Sequence, residues 1–453
     1  MSRSGSRHRV RKILAALLGL VLIALVAGYW YERPLLLTGT GYAAHNACAV
    51  TKVAGRTNPA VDLPPNPLVP YLRESSSGDE LTGSILGALA KQRAWFTPDF
   101  GCTLAQDAPD FGNGSQVSDL ANPFVRASVP PPSAAIAAAL AQAFGDELPA
   151  ADKATLGTRA VVVVQNGKLI AERYADGFTA TTPQLGWSMA KSVTNLLVGM
   201  LAADGNITVT DDHLRPEWKG KKADITVDQL MRMTSGLEWD ETYALGTPVT
   251  QMLYREPDMA SYAAGLPLKH DPGTYLRYSS GSTNILCSVL GDRTNVGADL
   301  PRRVLFAKLG LASATWEPDA SGTPVCSSYL WATPRDWATI GQFALQDGAW
   351  HSEQLLPVGW MAQSTKVKKV ATSEEPGYAA GWWTNKDQND AAVEPTLPAD
   401  TFWMQGHDGQ RVFVVPSAKL VVVRLGFSPE VEAADLRTVP LVAALIAALP
   451  PAS

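Results

Sequence analysis

The chain changes its hydrophobic period several times, and each change predicts a different element. Residues 13–30 are apolar without a break. That run of 18 residues approaches the ~20 that a helix needs to cross a bilayer. Arg3, Arg7, Arg9, Arg11 and Lys12 precede it, and Tyr29, Trp30 and Tyr31 close it. Positive charge before an apolar run keeps the N-terminus cytoplasmic, and aromatic rings favour the membrane border. The run exceeds the usual signal-peptide core of about 7–15 residues, and no clear A-x-A site follows. The pattern predicts a cytoplasmic tail over 1–12 and an uncleaved transmembrane anchor over 13–31. The body would then stand outside the cytoplasm on a single-pass anchor in the inner membrane. A cleaved signal peptide is the alternative.

From 35 to 132 no period persists and Pro, Gly and Asn recur. Residues 32–150 therefore read as an irregular segment wrapping the body, with an Ala-rich helix over 133–144. Ala160, Val161, Val162, Val163 and Val164 precede Asn166-Gly167, and Leu169, Ile170 and Ala171 follow. Two short strands around a tight Asn-Gly turn are the expected result. Met189, Val193, Leu196, Leu197, Met200 and Leu201 recur at helical spacing, which predicts a helix over 188–203 ended at Asp204-Gly205. Short helices and loops fill 211–350, for example over 227–233 and 284–290. Strands return at 411–415 and 420–425, and a closing helix spans 431–449. This order predicts an α+β domain over 151–453, with a helical insertion at 211–350. One antiparallel sheet would be flanked by helices, beside an α-helical lobe.

Composition narrows the function classes. Net charge is −5 and no basic block follows the N-terminus, which argues against nucleic acid as a partner. The six histidines form no H-E-x-x-H or tight cluster, and no G-x-x-x-x-G-K occurs, so no metal or cofactor is expected. The four cysteines are an even number in an exported body, which suggests disulfides. Cys48 with Cys102 is the preferred pair, since both precede the catalytic region. Closing that loop is worth about 4 kcal/mol on the chain-entropy account. For Cys287 and Cys326, a bridge and two buried thiols are equally open.

Ser188-Met189-Ala190-Lys191 opens the apolar helix. Spacing i to i+3 puts both side chains on one face. A serine hydroxyl becomes a useful nucleophile when a neighbouring base takes its proton, and a lysine can do so only when neutral. Burial drives its pKa down. The helix N-terminus adds free N–H groups that can face an oxyanion. S-x-x-K alone is common as a helix cap with a surface lysine. Two further elements give it context: Tyr278-Ser279-Ser280-Gly281 before an apolar helix, and Gly406-His407-Asp408-Gly409-Gln410 before the last hairpin.

In these phrases the chain resembles the serine β-lactamase and penicillin-binding-protein superfamily. It is most similar to class C-like enzymes, and within them to 6-aminohexanoate-dimer (nylon oligomer) hydrolase-type proteins. Met233-Thr234-Ser235-Gly236-Leu237, Ser327-Ser328-Tyr329 and Gly381-Trp382-Trp383 extend the likeness over residues 150–450. The resemblance implies a β-lactamase/transpeptidase-like fold and a hydrolase acting on a small-molecule amide, ester or peptide. It implies Ser188 as the acylated residue, Lys191 as its proton partner, and Tyr278 as general base and later acid. The backbone N–H groups of Ser188 and Gln410 would form the oxyanion hole. Tyr243, Ser280, His407 and Gly409 would meet substrate. Two departures stand out. Tyr278-Ser279-Ser280 lacks the asparagine of Y-x-N, and His407-Asp408-Gly409 replaces K-T-G. Without that lysine, efficient binding of penicillin-like carboxylates is not expected.

Competing readings are a weakly catalytic binding or sensor module on the same fold, and a cell-wall D-alanyl peptidase. A Ser-His-Asp hydrolase fails on local structure. Gly186-Trp187-Ser188-Met189-Ala190 is a near miss of G-x-S-x-G, and no buried strand precedes it.

Overall fold

The computed structural model describes residues 4–450, so Arg3 of the basic tail lies outside the described residues. A six-stranded antiparallel sheet forms the centre. Its outer hairpin is Thr158–Gln165 and Lys168–Tyr174, turned by Asn166 and Gly167, both at positive φ. Thr158–Gln165 pairs with Leu420–Gly426, which pairs with Arg411–Val415, then Phe402–Gln405, then Trp383–Thr384. Period two decides which side chains face which layer. Val162, Val164, Val412, Val414, Val421 and Val423 join the core that holds the Ser188 helix, Met189–Ala203. Val161, Val163, Phe413, Val415 and Val422 pack on the other face, with helices Ala134–Ala143 and Thr438–Ala448. The α+β arrangement is the one expected.

Three boundaries differ from the sequence expectation. The closing helix begins at Thr438, because Arg437 sits at φ +61 and breaks the run after a separate turn at Ala433–Leu436. The helix expected over 284–290 extends over Ser280–Thr294, capped by the Ser279 hydroxyl on the Ser282 N–H. Helix Pro334–Leu345, expected in the helical insertion, packs on the central sheet, with Gly341 against Val412 and Val421.

The segment 32–150 is far more regular than expected. The apolar helix runs unbroken from Ser4 to Cys48. Its first part is solvent-exposed, and it is the one helix among the described residues long and apolar enough to cross a membrane. Its last part, from Leu37, is buried in the body. A four-stranded antiparallel sheet follows, Leu72–Ser77, Glu80–Ile85, Leu89–Thr97 and Gly101–Leu104. It escapes a period-two search because strands such as Leu72-Arg73-Glu74-Ser75-Ser76-Ser77 carry almost no apolar residues.

Glu317, fully buried, ties this segment down. Its carboxylate lies 2.8 Å from His45 Nε2 and accepts from Cys102 N at 2.8 Å and Trp331 Nε1 at 3.0 Å. Cys48 and Cys102 are bonded, joining the N-terminal helix to the fourth strand of this sheet, and Cys287 is bonded to Cys326.

Candidate active site

Ser188 stands at the N-terminus of its helix, and its side chain caps none of the first helical N–H groups, which turn to the carbonyls of Gly186, Trp187 and Ser188. The preceding Trp187 holds φ at +48, a strained value for a bulky residue. Two glycines let the backbone close there. A Cβ on Gly186 would stand 2.2 Å from the Trp337 ring, and one on Gly406 would stand 2.1 Å from the Gly186 carbonyl. The end of strand Phe402–Gln405 therefore touches the loop that carries the serine.

Lys191 is buried one turn along the helix. Its Nζ lies 2.8 Å from Ser188 Oγ, 2.9 Å from Ser280 Oγ and 3.2 Å from the Ser327 carbonyl. Burial pulls its pKa down to about 8, against the opposing pull of Glu241 at 3.8 Å. Glu241 accepts from Ser280 Oγ at 2.5 Å, Ser280 N at 2.8 Å and Trp239 Nε1 at 2.5 Å. Sequence reasoning picked Tyr243 from this stretch and missed Glu241. A carboxylate behind a lysine partner was the available signal.

Tyr278 lies across the lysine, its ring centroid 4.7 Å from Lys191 Nζ and 5.2 Å from the Tyr378 ring. Burial pushes its phenol well up and Glu241 adds to that, while a hydrogen bond with Ser188 works in the other direction. Ser188, Tyr278, Tyr243, His407 and Gly409 line one cleft of about 430 Å³, joined by Glu241 and Arg411. Tyr243 stacks on His407 at 4.3 Å and meets Trp187 edge-on at 6.1 Å. His407 Nε2 approaches Asp408 at 3.3 Å. Burial pushes the Asp408 carboxyl up.

Two expected residues sit elsewhere. Ser280, expected on substrate, is fully buried behind Lys191 and spends its hydroxyl on Lys191 and Glu241. Gln410, expected to supply an oxyanion N–H, is buried beneath a turn. Its N–H points to the His407 carbonyl at 3.5 Å, and its side chain bonds Gly426 on the neighbouring strand. The positive φ of Asp408 and Gly409 curls the chain there, so Gly406 and His407 face the cleft instead.

The Beta-lactamase family model matches residues 139–443. The chain belongs to that family. The fold described above is the one that this family membership implies. It is 24% identical over 299 residues to a 6-aminohexanoate-dimer hydrolase of Paenarthrobacter ureafaciens, covering 60% of this chain and 73% of that protein. It is 25% identical over 266 residues to the protein flp of Staphylococcus aureus strain N315, covering 51% of this chain. The chain spans about half the length of flp, 53%. Among solved structures, a Bacillus anthracis protein assigned as a 6-aminohexanoate-dimer hydrolase superposes with a TM-score of 0.59 at 22% identity, covering 75% of this chain and 92% of that one. A hydrolase with promiscuous acyltransferase activity gives 0.54 at 17% identity, covering 69% and 98%. At these identities the structural likeness speaks for the fold.

Proposed function

We propose that the protein cleaves an amide or ester bond through a covalent acyl-enzyme on Ser188. The observation that carries this is the bonding around Lys191. The Ser327 carbonyl can only accept, and the one hydrogen of Ser280 Oγ is taken by Glu241. A neutral lysine has two N–H donors and one lone pair. Both donors are claimed by Ser327 and Ser280, which leaves the lone pair aimed at the Ser188 hydroxyl. With a pKa of about 8, Lys191 is neutral in a useful fraction near physiological pH.

Lys191 then takes the Ser188 proton as Oγ attacks the carbonyl. Tyr278, kept protonated by burial, is better suited to donate to the leaving group than to act as the first base. Its proton is replaced from Lys191, and water repeats the cycle in reverse to free the enzyme. For the oxyanion we assign the Ser188 N–H and the His407 N–H, in place of Gln410. Tyr243 and His407 form the substrate wall. The anchor helix would hold this site outside the cytoplasm, on the inner membrane. The 6-aminohexanoate dimer named for the Paenarthrobacter relative supports an amide or ester substrate, since two amino acids are joined through an amide, and the missing K-T-G lysine argues for poor turnover of penicillins.

The test is labelling of the full chain in detergent by a fluorophosphonate, with turnover of linear amides and esters against benzylpenicillin. No labelling of Ser188 would overturn the acyl-enzyme. Benzylpenicillin turnover near the diffusion ceiling of about 10⁸ M⁻¹s⁻¹ would overturn the substrate reading.

A further inference from the structure

The catalytic cleft has a second, apolar end. A chamber of about 340 Å³ opens beside it, within the ~300–1,000 Å³ range of small-molecule sites. Tyr243, His407 and Pro429 belong to both spaces, so the chamber begins where the proposed substrate wall ends. Its far walls include Leu63, Leu68, Val69, Leu72 and Leu245, with Gly39 and Tyr42 of the anchor helix.

The same helix carries the exposed apolar run. Gly39 follows Trp30 by nine positions, about 14 Å along a helix at 1.5 Å per residue. The chamber thus lies one short step from the aromatic border of that run. The N-terminal sheet is fixed at the same height. Ala90 N donates to Tyr29 Oη at 3.2 Å, and Leu86 N donates to the Tyr71 carbonyl at 2.9 Å. Around these bonds Tyr71, Leu86 and Leu89 are 53%, 61% and 42% exposed. In water that cluster is wasted apolar surface, while at a headgroup boundary it is buried.

We propose that the chamber holds the hydrocarbon chain of an acyl ester or acyl amide amphiphile taken from the membrane surface, with its scissile carbonyl at Ser188. This rests on the acyl-enzyme reading above. Tyr71, Leu86 and Leu89 seat the body on the bilayer. The chain enters past Leu68 and Leu72, and the polar head stays in the wet cleft near Arg411.

The test uses the full chain in phosphatidylcholine vesicles, with 4-nitrophenyl acetate and octanoate. kcat/KM is expected to be at least about tenfold higher for octanoate, since each methylene in a fitting pocket counts. Leu68→Trp and Leu245→Trp fill the chamber and should bring that ratio close to one. A photoreactive fatty-acyl amide is then crosslinked to the Ser188→Ala full chain and the adducts are mapped. Adducts at Leu68, Val69 or Leu245 support the chamber. Adducts confined to residues 8–31, with equal turnover of both esters, overturn the chamber and leave the hydrolase standing. Chamber adducts with both esters inert support the chamber and overturn the acyl-enzyme.

Discussion

Behind Ser188 the protein is polar and fully bonded. Lys191, Ser280, Glu241 and the Ser327 carbonyl sit within a few ångströms, and each has a fixed partner. In front of Ser188 it is aromatic and then apolar, from Trp187, Tyr243 and His407 into the leucine-lined chamber. The rear wall can hold one proton in one place, because a buried hydrogen-bond network with every member satisfied has a single arrangement. The front wall imposes no such direction, so it can admit a family of chains differing in length. In the proposed mechanism proton transfer would depend on the rear wall and substrate choice on the front, and substitutions should separate the two.

The largest break comes at their junction. Ser188→Ala removes the one atom there that can be acylated, so fluorophosphonate labelling and turnover should vanish while the thermal melt persists. Residual covalent labelling at the wild-type rate would place the nucleophile elsewhere.

Next come the rear-wall partners. Lys191→Ala and Tyr278→Phe should each lower turnover by about 10²–10⁴-fold, the usual worth of general acid–base help. Groups acting as a unit do not add, so the double variant should be little worse than either single one. On the front wall, His407→Ala should shift preference among esters instead, because the backbone N–H proposed as oxyanion donor survives the change. A folded Tyr278→Phe with normal turnover, beside an inactive His407→Ala, would replace the Ser-Lys-Tyr scheme by a Ser-His one.

The two walls also differed in how much the sequence disclosed. Ser188 and Lys191 are three apart on a periodic helix, so their meeting is local geometry. The hairpins of the central sheet were legible through valine runs and the Asn-Gly turn. Glu241 was not, because it lies in a loop and meets Ser280, 39 positions away at the start of a helix. Ser327 acts through its carbonyl, which no side-chain motif records. The turn before Gln410 was not legible either, because left-handed Asp408 and Gly409 bend the chain by an amount that residue spacing cannot show. The front wall was the least legible. It is built largely from the N-terminal helix and residues 63–72, where the strands beyond are polar and the apolar side chains are scattered among prolines.

That N-terminal wall depends on its staple. Replacing Cys48 and Cys102 by serine removes a buried cross-link over 54 residues, and losing such a bridge typically costs about 2–5 kcal/mol. The expected result is a lower melting temperature, with looser discrimination between long and short esters where any fold survives. A linked peptide pair in a non-reducing digest checks the bond itself. Free alkylation of both thiols in protein from its native compartment would refute it.

The finest test separates charge from shape in the rear wall. Glu241→Gln keeps the size of the side chain and an acceptor for Ser280, and it removes one negative charge 3.8 Å from Lys191. Glu241 holds the lysine pKa up against the downward pull of burial, which leaves it at about 8. Without that charge the pKa must fall further. In the proposed mechanism the neutral amine is the active base, so activity should rise with pH as Lys191 loses its proton. The acid limb of the kcat/KM profile should therefore move to lower pH in Glu241→Gln. A weaker base also accepts the serine proton less readily, so the plateau should drop, by less than the ~10² lost on removing a proton partner outright. A purely structural role for Glu241 would lower the plateau and leave the limb in place. Loss of a negative neighbour lowers the pKa of either Lys191 or Tyr278, so a limb moving to higher pH would mean that the titrating group is neither of them, and Lys191 would lose its place as the base.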